Sequence, residues 1–318
     1  MYKPYELLEN VLIDIENGLK EGSNTTIFAE KYKLTDRHLR RLFRFAFNQT
    51  LGDYNRSRRL SASLNELLKT DFDILDIAID YGFEYEGTYI RAFKREFKIT
   101  PGQMRKTGEI VKITPPLQLF DARKTSNGVL FGPEIVMVPQ FHVIGKRYSL
   151  PSRDLAVLTP KMAREFWDND HTAIKNATDP DSIYIGLVRN YNFDEGTAQY
   201  LASVPVKNLE NIPHGLNGDT FSSSLCARFR YIGQHHYYDL HREIMQPMYD
   251  EIYKFRTSKT EKYALQNDKV YFEKIDSRHY DGTYCQMEWF APVVEKSYMS
   301  EKPIGGKFIS KITRSRDV

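Results

Sequence analysis

Arg37, Arg40, Arg41 and Arg44 stand in LTDRHLRRLFRFAF, residues 34–47, at the spacing i, i+3, i+4, i+7. On a helix that spacing gathers four guanidinium groups on one arc and turns Leu39, Leu42, Phe43 and Ala46 the other way. A guanidinium fork fits guanine O6 and N7, and a row of them also fits phosphates. The plainer reading is the solvated face of a surface helix. A second feature is Glu288 in CQMEWFAPV, a run otherwise suited to burial. Strand alternation places Gln286, Glu288 and Phe290 on one face and Cys285, Met287 and Trp289 on the other. A carboxylate on an aromatic-lined face holds an organic cation through charge and cation–π attraction. The alternatives are an edge-strand glutamate facing water, or one paired with an arginine. His235, His236 and His241 in GQHHYYDLH are the nearest approach to a metal cluster. Adjacent histidines point apart on strand or helix, so they read as loop or surface residues, with no metal and no cofactor expected.

The elements that must carry these groups fall in two halves. From residue 5 to about 106 apolar residues recur at helical spacing, beginning with Leu7, Leu8, Val11, Leu12, Ile15 and Leu19. Pro115 and Pro116, followed by TSNG, break that pattern. Beyond them β-rich runs alternate with helical ones: EIVMVPQFHVIGKRY, a helix near LTPKMAREFW, then SIYIGLVRNY and QYLASVPV. The order returns as SSLCARFRYIG, a helix across YYDLHREIMQPMYDEIYKF that Pro247 should kink or restart, then KVYFEKID and YCQMEWFAPV. The pattern predicts an α+β domain of two βαββ repeats with a pseudo-twofold. The expected divisions are 1–107, a linker 108–130, 131–295, and an extension 296–318 with one added strand.

Within the helical half the arginine helix has an echo. Thr35 is a good N-cap with Asp36 in the first turn, and Thr26 is expected to cap a short helix IFAEKYK before it. Fifty residues on, ILDIAIDYGF and EYEGTYIRAFKREF repeat the arrangement, with Glu84, Thr88, Arg91 and Arg95 outward and Tyr89, Ile90, Phe93 and Phe97 inward. LGDYNRSRRLSASLNELLK between them predicts one helix of about 17 residues, roughly 25 Å long. With the flanking bundles this suits two reading helices about one DNA turn, ~34 Å, apart.

Composition bounds the rest. A net charge of +3 on 318 residues is mild, but residues 37–59 hold seven arginines against the single acid Asp53. Two cysteines, Cys226 and Cys285, fit a reducing compartment, and the N-terminus lacks a signal-peptide pattern, so a cytoplasmic location is expected and the Asn24-Thr25-Thr26 sequon reads as accidental. No run reaches the roughly 18 apolar residues of a membrane span. GxSxG, HExxH, Walker and GxGxxG motifs are all missing, which argues against an enzyme.

TDRHLRRLF, LGDYNRSRRL, IAIDYGFE, RAFKREF and TPGQMR together resemble the AraC/XylS family DNA-binding domain, an all-α, homeodomain-like tandem of helix-turn-helix units. The resemblance implies Arg37, Arg40 and Arg41 as base readers in the first unit and Glu86, Gly87, Thr88 and Arg91 in the second. It implies Arg44, Arg56, Arg58, Arg59, Lys94 and Arg95 as phosphate contacts. Gly87 has no side chain to read with, so most discrimination is expected from the first unit. MVPQFHVIGKRY, SIYIGLVRNY, RYIG and MEWFAPV look like the GyrI-like effector-binding domain. That likeness implies Glu288 as the cleft glutamate, with Trp167, Tyr184 and Phe290 as wall residues. The order of the two domains is that of the Rob-type members of the family. It implies a regulator, an activator by likeness, that binds promoter duplex DNA, a small cationic or lipophilic effector and RNA polymerase. The competing expectations are a scaffolding or partner-recruiting second domain and a hydrolase domain tethered to DNA.

Overall fold

Helix ends fall where the apolar period starts and stops. The computed structural model describes residues 2–296 apart from 21, 23–24, 120–121, 192–195, 259–261, 267–269 and 281. The helical half holds α1 (Pro4–Asn17), α2 (Thr25–Lys31), α3 (Asp36–Phe47), α4 (Leu51–Lys69), α5 (Ile74–Asp80), α6 (Glu86–Phe97) and α7 (Pro101–Thr107). Because α2 begins at Thr25, Thr26 lies inside it and is not the cap that the sequence suggested.

The fifty-residue repeat extends to the chemistry of the helix ends. Asn48 after α3 and Lys98 after α6 both adopt left-handed backbone, which returns the last carbonyls to hydrogen bonds. Thr50 and Thr100 then cap α4 and α7 by accepting from Asp53 N and Gln103 N. α4 spans 19 residues, ~28 Å at 1.5 Å per residue. Its two ends serve different cores. Leu51 and Tyr54 pack with α1, α2 and α3, while Leu60, Leu64 and Leu67 pack with α5, α6 and Met104.

The stretch 108–119 has neither helix nor strand, but it is tied along α4. Thr114 N donates to Ser61 Oγ at 2.9 Å and Leu117 N to the Tyr54 hydroxyl at 2.9 Å. Arg58 donates to Thr114 O at 2.6 Å and pairs with Glu16 across α1 at 2.7 Å. The sheet begins earlier than residue 131: β1 (Ala122–Lys124) lies inside the expected linker and β2 (Gly128–Val138) starts there.

The remaining elements are β3 (Phe141–Pro151), α8 (Leu155–Asn169), β4 (Ile183–Arg189), β5 (Thr197–Val206), β6 (Asn217–Phe221), β7 (Ser224–Gly233), α9 (Arg242–Thr257), β8 (Tyr263–Leu265), β9 (Tyr271–Asp276) and β10 (Cys285–Glu295). α9 runs through Pro247 without a break and starts at Arg242, after a separate 3-10 turn at Tyr237–Asp239. The described strands form one antiparallel sheet in the order β1-β2-β7-β10-β9-β4-β5-β3-β6, with β8 on the far end of β10. The two repeats, β3-α8-β4-β5 and β7-α9-β9-β10, therefore meet at the β9·β4 pair, and each runs outward in mirrored order. α8 and α9 cover one sheet face, against Tyr184, Tyr200 and Val204 for α8 and Phe229, Met287 and Trp289 for α9. The opposite face carries Ile185, Leu187, Leu201, Phe272 and Phe290. The added strand expected beyond residue 296 lies outside the described residues.

Candidate functional sites: an arginine face and an aromatic cleft

Amphipathicity sets the first site. Leu39, Leu42, Phe43 and Ala46 are buried, and Arg37, Arg40 and Arg44 point into solvent. Thr35 holds the start of α3 by accepting from His38 N at 3.2 Å. Arg40 Nε donates to Asp36 at 2.6 Å, one turn back. Arg41 is half-buried, and its Nη1 donates at 2.5 Å to the carbonyl of Arg278, in the second half of the chain. His38 is fully buried beside Arg41 and the Tyr284 ring.

On α6, Thr88, Arg91, Lys94 and Arg95 are exposed and Glu86 partly so, with Arg91 Nη2 donating to Thr88 Oγ1 at 3.3 Å. The phosphate set divides. Arg44, Lys94 and Arg95 face water, and Arg56 is partly exposed and paired with Asp53 at 3.0 Å. Arg58 is withdrawn from that set: it is buried, and its ion pair with Glu16 raises its already high pKa. Arg59 is withdrawn too, since it packs into the seam of Gly22 and Gly82, where burial lowers its pKa.

The second site lies between α8, α9 and the centre of the sheet. Its walls include Ala163, Trp167, Tyr184, Tyr237, Tyr238, Met245, Tyr249 and Met287, and its charged floor is Glu273 on β9. Trp167 stacks on His171 at 4.4 Å and meets the Tyr184 edge at 6.4 Å. The Tyr184 and Tyr200 hydroxyls are hydrogen-bonded to each other, and Tyr200 donates to Glu273 Oε1 at 3.1 Å. Burial pushes the Glu273 carboxyl up to about 7, a shift the Tyr200 bond only partly opposes. Gly186 on β4 sits directly opposite Glu273 in the register. A Cβ there would meet Glu273 Oε1 at 2.4 Å and the Tyr200 hydroxyl at 2.9 Å, so glycine makes the space for both groups.

Trp167 and Tyr184 thus line the cleft, whereas Glu288 and Phe290 do not reach it. Alternation grouped Gln286, Glu288 and Phe290 correctly, but their shared face is the one turned away from α8 and α9. There Glu288 pairs with Arg228 at 3.2 Å and lies 3.8 Å from Lys274, and Phe290 stacks on Phe272 at 4.6 Å. Sequence reasoning missed Glu273. The signal was Gly186 in the middle of the strand SIYIGLV, since a strand-interior glycine marks close approach by a neighbour. The histidines serve local structure: His235 bonds the Tyr231 hydroxyl and His236 accepts from Tyr238 N.

Comparison with known proteins joins the two sites. Residues 28–107 match a family described as a helix-turn-helix domain, and residues 134–293, half of the chain, match one described as integron-associated effector binding protein. The probable transcription factor PqrA of Proteus vulgaris is 38% identical over 108 residues, 32% of this chain and 88% of that protein. The right origin-binding protein of Escherichia coli K12 is 31% identical over 185 residues, 57% of this chain but only 61% of that protein. The integron cassette protein of the Vibrio cholerae mobile metagenome aligns over 52% of this chain and 99% of its own, at 15% identity and TM-score 0.38. Two helix-turn-helix units on one long helix, joined to a duplicated βαββ sheet with a cleft, place this chain in the AraC family of DNA-binding transcription regulators, among the Rob-like members that carry a GyrI-like effector-binding domain.

Proposed function

We propose that the effector is a lipophilic organic cation, held in the aromatic cleft by the Glu273 carboxylate. The observation that carries this is a carboxylate on the floor of an aromatic box whose hydrogen-bond partner there is a neutral hydroxyl, Tyr200. Such a group costs free energy when ionised and regains it from a cation that also contacts ring faces. The free space is about 60 Å³, well below the roughly 300 Å³ of a small ligand site. Binding therefore requires Trp167 or a cleft tyrosine to swing outward. Trp167 lies in the cleft wall, and Trp289, in the packing beneath it, is the only other tryptophan. Tryptophan fluorescence accordingly reports occupancy.

The test is thermal shift and fluorescence titration of the full chain with a tetraalkylammonium ion and its uncharged carbon isostere. Stabilisation by the cation, lost in Glu273→Gln and kept in Glu288→Gln, supports the reading; equal response to the isostere defeats it. A carboxyl titrating near 7 also suits a general base, which favours the hydrolase alternative. Ester turnover that disappears in Glu273→Gln would establish that use instead. At the DNA end, Arg37, Arg40 and Arg41 are the proposed base readers and Arg44, Lys94 and Arg95 the proposed phosphate contacts. Effector occupancy is then read out as altered promoter binding or recruitment of RNA polymerase, in the sense of activation.

A further inference from the structure

The arginine face of α3 does not open onto free solvent alone. It forms one wall of a cleft of about 940 Å³ whose other wall is the sheet face opposite the aromatic cleft. That second wall presents Arg228, Arg230, Arg278, His279 and Gln286, with Glu288 as its acid. Gln286 is 3% exposed, and neither end of its amide has a hydrogen-bond partner among the described residues. The Nε atoms of Arg228 and Arg230 are likewise buried without an acceptor. A lining with surplus buried donors is suited to an occupant rich in acceptor oxygens, hence an anion.

The nearby carboxylates are engaged. Glu288 and Glu134 hold Arg228, and Asp276 and Asp179 hold Arg278. The four α3 arginines are on the opposite wall. The two walls are joined by core packing, since Phe131, Ile232 and Tyr284 belong to the same buried cluster as Leu39 and Phe43. The sheet is thus a fixed companion of α3, and its arginine-rich wall faces the α3 arginines across the cleft.

We propose that this cleft is the second half of the DNA site, and that the effector domain itself binds a phosphodiester next to the bases read by α3. Gln286 Nε2 and Arg278 are the donors assigned to that phosphate. The inference rests on α3 being a reading helix, so Arg40→Ala serves as its control. The measurement is anisotropy of the full chain on a selected duplex and a random one across a salt series, with hydroxyl-radical footprints. Arg278→Gln is expected to weaken both duplexes by a similar factor and to flatten the salt slope by roughly 0.9, the value of one lost phosphate contact. Gln286→Glu should weaken both tenfold or more, about the factor a like charge beside a phosphate imposes. Gln286→Leu should lose the flanking footprint without lowering the melting temperature, because it removes a buried unpaired amide.

Unchanged slopes and footprints in these variants would overturn the proposal, and so would tighter binding, which would make the sheet a barrier. Inorganic phosphate or AMP that stabilises the wild type but not Gln286→Glu, with DNA slopes unchanged, would assign the cleft to a free anion and overturn it as well. If Arg40→Ala leaves the preference for the selected duplex intact, the reading of α3 itself fails. Loss of that preference with Arg278→Gln silent confines the failure to the cleft.

Discussion

Two glutamates on neighbouring strands face opposite sides of the sheet. Glu288 and Glu273 lie on paired strands, but only Glu288, in QMEWF, stood out in sequence as a carboxylate within an apolar run, whereas Glu273 is followed by Lys274. Period-two alternation told which neighbours share a face, but which face α8 and α9 would cover depends on packing between segments tens of residues apart, such as Met245 of α9 with Met287. Glu273 carries a pH signature. Its proton is held to about pH 7 in the folded protein and released near 4.5 in the unfolded chain, so the folded state binds more protons between those values. Stability is therefore expected to fall as pH rises from 4.5 to 7 and to level off above, with that component missing in Glu273→Gln; urea titrations at stepped pH measure it. Cation affinity should run the opposite way, rising through pH 7 as the carboxylate forms. Gly186→Ala tests the same spot from the facing strand. The new methyl displaces the carboxylate from Tyr200, and the expected result is at least tenfold weaker cation binding in a fold that still melts cooperatively.

At the level of elements, most of the helical half was legible because its signals are local. Apolar period, the Thr35 cap and the echo of RRLFRFAF in RAFKREF marked α3, α4 and α6, and the faces assigned to Leu39, Leu42, Phe43 and Ala46 are the buried ones. The exceptions are residues whose role depends on a partner distant in sequence. Arg58 looked like a phosphate contact until Glu16 and the carbonyl of Thr114 enclosed it. Gly82 is such a residue as well. Its φ of +73° and a Cβ position 2.2 Å from the backbone of Gly22 mean that the turn of the second unit touches the loop between α1 and α2. Gly82→Ala is expected to cost on the order of 2 kcal/mol or more, since both backbone strain and backbone overlap oppose it. Denaturant midpoints measure the loss. Binding to a full two-site duplex should weaken more than binding to the first half-site alone; equal weakening would mean that the turn does not set the position of α6.

For the whole molecule, the division into a DNA half and an effector half is true of the folds and not of the cores. α1, α2, α3 and the start of α4 are completed by Leu119, Val129, Phe131, Ile232 and Tyr284, and the end of α3 is held by Arg230, which donates to Phe45 and Ala46 carbonyls from the sheet. Among the described residues, the second unit, around α5, α6 and Met104, draws on residues 60–104 and the partly buried Val111. Burying one large apolar side chain is worth about 1.5 to 3 kcal/mol, so removing this cover should cost the first unit several kcal/mol and the second almost nothing. A fragment of residues 1–107 is therefore expected to lose hydrogen-exchange protection in α1 and α3 relative to the full chain, while α5 and α6 keep theirs. Equal protection of both units in fragment and full chain would show that the sheet is not part of the first unit's core. The asymmetry bears on regulation, because the unit with three proposed base-reading arginines is the one that shares its core with the effector domain. β10 turns Met287 toward the aromatic cleft and Gln286 and Glu288 toward the cleft it shares with α3, so adjacent residues of one strand line the proposed effector site and the cleft beside the proposed reading helix. In the fragment, where β10 is missing, the preference among DNA sequences should persist at lower stability but lose all response to a cation, and anisotropy with and without the tetraalkylammonium ion measures that difference.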